Sequence, residues 1–184
     1  MGENVKVKNI VFVSHCLLNT ATKVMEMSKA HNNEEEKLRK SFLIKAVEND
    51  LHIIQLPCPE FNLYGSMRWG HSKDQFDNPF YREGCKKMLE PYILQMKEYL
   101  SKCDKFKVLG IIGVEGSPSC GVNLTYCGNW GGELSTNPHL NDMLKGIYPK
   151  KEKGVFMEVL QEMMKENEID IDMLGLNEYE KIFL

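Results

Sequence analysis

The chain has 184 residues, of which 42% are hydrophobic, 27% charged and 9% aromatic. That is a globular composition, long enough to bury a core without disulfide staples, and it excludes a disordered tail, a collagen-like repeat and a mucin-like stalk. Lys and Arg total 23 against 26 Asp and Glu, a net charge of −3, so the basic face that nucleic acid requires is not expected.

No apolar run approaches the roughly 20 residues that span a bilayer. The start, from Met1 to Lys6, has no apolar signal-peptide core. A cytoplasmic protein with no membrane or nucleic-acid partner is expected; the sequence does not give the oligomeric state. No repeat or linker divides the chain, so residues 1–184 read as a single domain.

The apolar run from Asn9 to Ser14 predicts a buried strand. Residues 15–31 read as a polar loop, and Glu34 to Asn49 as a helix whose Glu34–Lys37 run is a solvated first turn suited to the helix dipole. His52 to Leu56 is a second strand, stopped by Pro57 and Pro59. Asn78 caps a helix with Pro79 at its first position, and Cys85, Met88, Leu89, Tyr92, Met96, Tyr99, Leu100 and Cys103 recur at three and four along it. Phe106 to Val114 is a third strand, followed by a Gly-rich stretch from Glu115 to Gly132 without helical pattern. Ser135 or Thr136 with Pro138 begins a short helix. Val155, Phe156, Val159, Leu160, Met163 and Met164 mark a long amphipathic helix. Ile169 to Leu174 reads as a fourth strand, and Glu178 to Leu184 as a closing turn.

Strands alternating with helices predict an α/β fold, Rossmann-like, with a mostly parallel sheet and helices on both faces. Ligands of such sheets bind outside the carboxyl ends of the strands. Of six cysteines, Cys16, Cys58 and Cys120 each lie in the loop after a different strand, so all three can reach that rim. Cys85 and Cys103 read as small buried hydrophobes, and Cys127 has no assigned place.

Three readings of Cys16, Cys58 and Cys120 are open: unrelated thiols, a nucleophile, or a three-thiolate metal site. A phosphatase loop needs an Arg just downstream of its Cys; Thr22, Tyr64 and Tyr126 stand at that offset. Soft sulfur selects zinc or an iron–sulfur cluster. A cubane cluster held by three cysteines rather than four keeps one iron open as a Lewis acid. There is no GxGxxG, Walker A loop or GxSxG elbow.

The neighbours of these cysteines suit acid–base work. Glu60 lies two residues from Cys58, and Ser117 and Ser119 flank Pro118 just before Cys120. Gly116 and Gly121 let the backbone approach a ligand. His15 adjoins Cys16. Arg68, beside Trp69 in a Gly-flanked loop, is a candidate for holding a substrate carboxylate or carbonyl; a surface salt bridge is the other reading. His15 and Arg68 are the substrate-binding candidates.

Val13-Ser-His-Cys-Leu-Leu18, Leu56-Pro-Cys-Pro-Glu60 and Ser117-Pro-Ser-Cys-Gly121, in that order, resemble the three signature segments of the thiouracil desulfidase (TudS-like) family. The resemblance implies a Rossmann-like domain with a [4Fe-4S] cluster on Cys16, Cys58 and Cys120. It implies a non-redox desulfidase that converts a C=S group of a small sulfur-containing substrate to C=O with release of hydrogen sulfide. Its acid–base pair maps to Glu60 and either Ser117 or Ser119. The family's Gly and Arg-Tyr-Asp-Gly continuation after the first segment is replaced by Asn19-Thr-Ala-Thr-Lys-Val24, and its Tyr-Asp-Gly by Tyr126-Cys-Gly128, which marks a divergent member with different substrate-facing loops. Two alternatives stand beside it: a cluster protein that binds or senses sulfide or thiols without turnover, and a zinc-dependent hydrolase.

Overall fold

The structure is a computed structural model and describes residues 6–24, 32–129 and 131–184. Its strands are β1 (Lys8–Val13), β2 (His52–Gln55), β3 (Phe106–Gly113), β4 (Thr125–Cys127), β5 (Tyr148–Lys150) and β6 (Met173–Gly175). Its helices are α1 (His15–Leu18), α2 (Asn32–Glu48), α3 (Pro59–Tyr64), α4 (Lys73–Phe76), α5 (Pro79–Ser101), α6 (Leu140–Lys145) and α7 (Val155–Glu166), and a 3-10 segment closes the chain at Leu176–Phe183.

Alternation along β1 builds two cores. Ile10 and Phe12 belong to one buried cluster, and Val11 and Val13 to the other, because successive strand side chains point to opposite faces. The first cluster takes Cys85, Leu89, Ile93 and Met96 of α5 with Val159, Leu160, Met163 and Met164 of α7. The second takes Phe42 and Ala46 of α2 with Leu176, Tyr179 and Ile182 of the closing segment. Apolar layers thus cover both faces of the sheet, as the alternating pattern predicts.

The sheet runs β2-β1-β3-β6, with every pair parallel. The chain steps from β1 out to β2, then crosses back to β3 on the far side of β1. That reversal leaves a crevice at the carboxyl ends of β1 and β3, where open α/β sheets bind ligands. Among the described residues, no helix is long and apolar enough to cross a membrane.

Several elements differ from expectation. Within the loop expected over 15–31, residues 15–18 form α1 and Thr20–Thr22 a 3-10 turn; residues 25–31 lie outside the described residues. The Gly-rich stretch contains β4, paired antiparallel with β5 in a small two-stranded sheet, a long-range pairing that local periodicity does not report. The helix expected at Ser135 begins only at Leu140, since the Ser135 and Thr136 side chains bond instead to the Glu133 carboxylate. The fourth strand shrinks to Met173–Gly175, although Ile169 and Ile171 are buried. Helix α5 ends at Ser101, so Cys103 is exposed rather than packed.

Candidate functional site

The site grows from three strand ends. Cys16 sits in α1, directly after β1. Cys58 follows β2 as the N-cap of α3, its Sγ accepting from the Phe61 N–H at 3.4 Å, with Pro59 at the first helical position. Cys120 follows β3 in the Ser117–Gly121 loop.

That loop is fixed by close packing and by a helix end. A Cβ on Gly113 would meet Cys120 O at 2.4 Å, one on Gly121 would meet Leu124 O at 2.1 Å, and one on Gly154 would meet the Ser119 carbonyl carbon at 2.5 Å. Only glycine fits at these three contacts. Gly121 therefore serves the loop's own folding, where an approach to ligand was expected. The opening N–H groups of α7, which no helical carbonyl can satisfy, go to the loop instead: Val155 N donates to Pro118 O at 3.0 Å, and Phe156 N and Met157 N donate to Ser119 O at 3.0 and 3.2 Å.

The three cysteines line one cavity of about 430 Å3, together with Glu60, Arg68, Ser117 and Ser119. Burial pushes the Cys16 thiol up to about 12, with the Lys23 ammonium opposing it. Burial also raises Cys58 and raises Cys120 well above the usual thiol range, to which the nearby Cys16 and Cys58 add. An isolated thiolate is disfavoured in such a place, and a bound cation compensates it. Among the described residues, no three Cys, His, Asp or Glu side chains close around a point for one metal ion. The three thiols lining the cavity are soft donors, of the kind that hold zinc or an iron–sulfur cluster.

Beside the thiols runs a chain of hydrogen bonds. Ser119 Oγ donates to Glu60 Oε1 at 2.5 Å, and Arg68 Nε donates to Glu60 Oε2 at 3.2 Å. Ser117 Oγ lies 3.2 Å from Ser119 Oγ and accepts from Cys120 N at 3.0 Å. A hydroxyl has one proton. With the Ser119 proton committed to Glu60, Ser117 is the donor between the two serines. Ser119 is thus the serine that touches the carboxylate, and Ser117 shapes the loop behind it.

Arg68 is nearly enclosed, its side chain 3% exposed. Besides Glu60 it donates to Gly65 O at 3.0 Å and Thr22 O at 2.6 Å, so its guanidinium is anchored to protein on three sides. His15 is not among the residues lining the cavity; its ring nitrogen lies 3.5 Å from Asn19 Nδ2 and its carbonyl accepts from Gln55 at 2.8 Å. Cys127 lies elsewhere, in β4, with its Sγ 3.2 Å from Glu152 Oε1.

The cavity wall also includes residues to which the sequence reading gave no individual role, several of them in the loops it read as substrate-facing. Lys23 pairs with Glu35 at its rim, so the acidic first turn of α2 is not wholly solvated. Thr22, Glu115 and Tyr126 also line the cavity. Glu115 accepts from the backbone N–H groups of Val122, Asn123 and Leu124; an acidic residue directly after a strand in a Gly-rich loop was the available signal.

A family model described as "Putative 2-thiouracil desulfurase" matches residues 8–175 of the chain. The chain belongs to this family. An uncharacterized protein of Methanocaldococcus jannaschii is 37% identical over 163 residues, covering 87% of this chain and 99% of that protein. No solved structure matches the chain at a significant level. The desulfurase family's matched region contains all three strand-end cysteines and the whole Glu60–Ser119–Arg68 arrangement.

Proposed function

We propose that this member of the desulfurase family removes sulfur from a small thiocarbonyl compound by hydrolysis, and that Cys16, Cys58 and Cys120 hold a [4Fe-4S] cluster. The reading is carried by one observation: the Ser119–Glu60–Arg68 chain lies in the same cavity as the three thiols. Such a cluster supplies an iron with an open position, a soft Lewis acid matched to thiocarbonyl sulfur.

The protein's own groups handle water and protons. The Glu60 carboxylate takes a proton from water as the water oxygen bonds to the thiocarbonyl carbon. The C–S bond breaks, and sulfur departs with two protons as hydrogen sulfide, leaving C=O with no net change of oxidation state. Ser119 carries a proton between Glu60 and the departing sulfur, its hydroxyl steadied by Ser117. Arg68 is a positioning residue: it fixes Oε2 and leaves Oε1 for the serine.

The test separates cluster from chemistry. Protein prepared without oxygen and reconstituted with iron and sulfide should contain about four of each per chain. The Cys16→Ala, Cys58→Ala and Cys120→Ala variants should lose them, and Cys85→Ala should keep them. Glu60→Gln should keep the cluster and release sulfide from 2-thiouracil at least about 100-fold more slowly. Ordinary turnover by Glu60→Gln would sink the assigned role.

A further inference from the structure

A second cavity, of about 490 Å3, adjoins the thiol cavity. Gly116, Pro118 and Tyr126 line both. Beyond them the second cavity is walled by Trp69, His71, Leu134, Leu140, Leu144 and Ile147. Among the described residues it has no Asp, Glu, Lys or Arg in its lining. Burial lowers the His71 pKa. Its Nδ1 is buried and has no hydrogen-bond partner among the described residues, while the ring stacks on Tyr64 and Phe76 with centroids 5.3 and 4.7 Å away.

The contrast between the two cavities is chemical. The first presents thiols, a carboxylate, a guanidinium and hydroxyls. The second presents aliphatic and aromatic surface. A bare thiolated pyrimidine seated with its sulfur among the thiols would leave the second cavity in contact with water, an unfavourable state for its apolar wall. We infer that the substrate is an uncharged thiocarbonyl compound carrying an apolar substituent, which lies against Tyr126 and occupies the Trp69–His71–Leu144 cavity while its sulfur faces the thiols.

This rests on the desulfurase reading, and the experiment keeps the two apart. The reconstituted protein is assayed with 2-thiouracil and 6-propyl-2-thiouracil, and uracil and 6-propyluracil are titrated calorimetrically into cluster-free protein. The propyl substrate should have kcat/KM higher by roughly tenfold or more, and 6-propyluracil should bind more tightly than uracil. A charge placed in the wall by Leu144→Asp or Leu134→Asp, positions that are 42% and 39% exposed, should bring both ratios toward one. Equal kcat/KM for the two substrates would overturn the inference. If neither substrate is turned over, the desulfurase reading fails by itself. In that case tighter binding of 6-propyluracil, lost in the two variants, would still support the apolar pocket, and equal binding would reject it.

Discussion

Burial divides the cysteines that lie outside the cavity into two kinds. Cys85 is wholly enclosed by the α5 core, and its thiol is pushed up to about 12 by burial. Cys127 is pushed up to about 11, by burial first and then by the Glu152 carboxylate. Cys103 is exposed past the end of α5. Since the thiolate is the reactive form, iodoacetamide at pH 8 should modify Cys103 well before Cys85 or Cys127, as peptide mass spectrometry would show. Early labelling of Cys85 would mean that α5 is not packed as described. At this scale much was legible: Cys85 follows from helical spacing, and Glu60 from its position beside Cys58. Arg68 lines the cavity, but its three protein partners were not legible in the sequence, because Thr22 reaches it from a distant part of the chain.

Between the residue and the fold stands the junction of the Ser117–Gly121 loop with α7. The helix donates its opening N–H groups to Pro118 and Ser119, so the position of Ser119 depends on where α7 begins. Gly154 allows that contact, since a Cβ there would come within 2.6 Å of the Ser119 carbonyl oxygen. The Gly154→Ala variant should therefore lose about 1–3 kcal/mol in a thermal or urea melt, and its loop shift should weaken cluster retention. Gly131→Ala, with nothing among the described residues within 4 Å of the added atom beyond its chain neighbours, is the control and should leave the melt unchanged. The strong elements were legible: β1, β2, β3, α5 and α7 follow from apolar periodicity and from the Asn78–Pro79 start signal. The short ones, α1, α3, α4 and the β4–β5 pair, were not. Each has too few residues for a period, and its existence depends on contacts from elsewhere.

At the scale of the whole molecule, one charged network ties separate elements together. Lys73 of α4 reaches Glu158 at 2.5 Å and Glu152 at 3.1 Å. Arg82 of α5 reaches Glu158 at 2.6 Å and Asp77 at 2.6 Å. Lys150, first among several donors, holds the Glu152 carboxyl down at about 2, against an ordinary value of 4.5. The folded value lies below the unfolded one, so the unfolded chain binds the extra proton. The contribution is present above about pH 4.5 and is lost as pH falls toward 2. Urea unfolding between these pH values should show stability falling with acid, and Glu152→Gln should flatten that fall. An unchanged slope in the variant would place the acid sensitivity elsewhere.

The α/β class, the parallel strands, the two amphipathic helices and the three cysteines at strand ends were legible in the residues alone. These are local properties: strand and helix periods, caps, and residues adjacent to one another in the chain. Only the tertiary structure decided which serine meets Glu60, what Arg68 holds, where Lys23 and Glu35 stand, and that an apolar cavity adjoins the thiols. Those facts depend on contacts between segments far apart in the chain. Such contacts are set by sheet order, by the glycine positions that allow close approach, and by the packing of α7 against the loop.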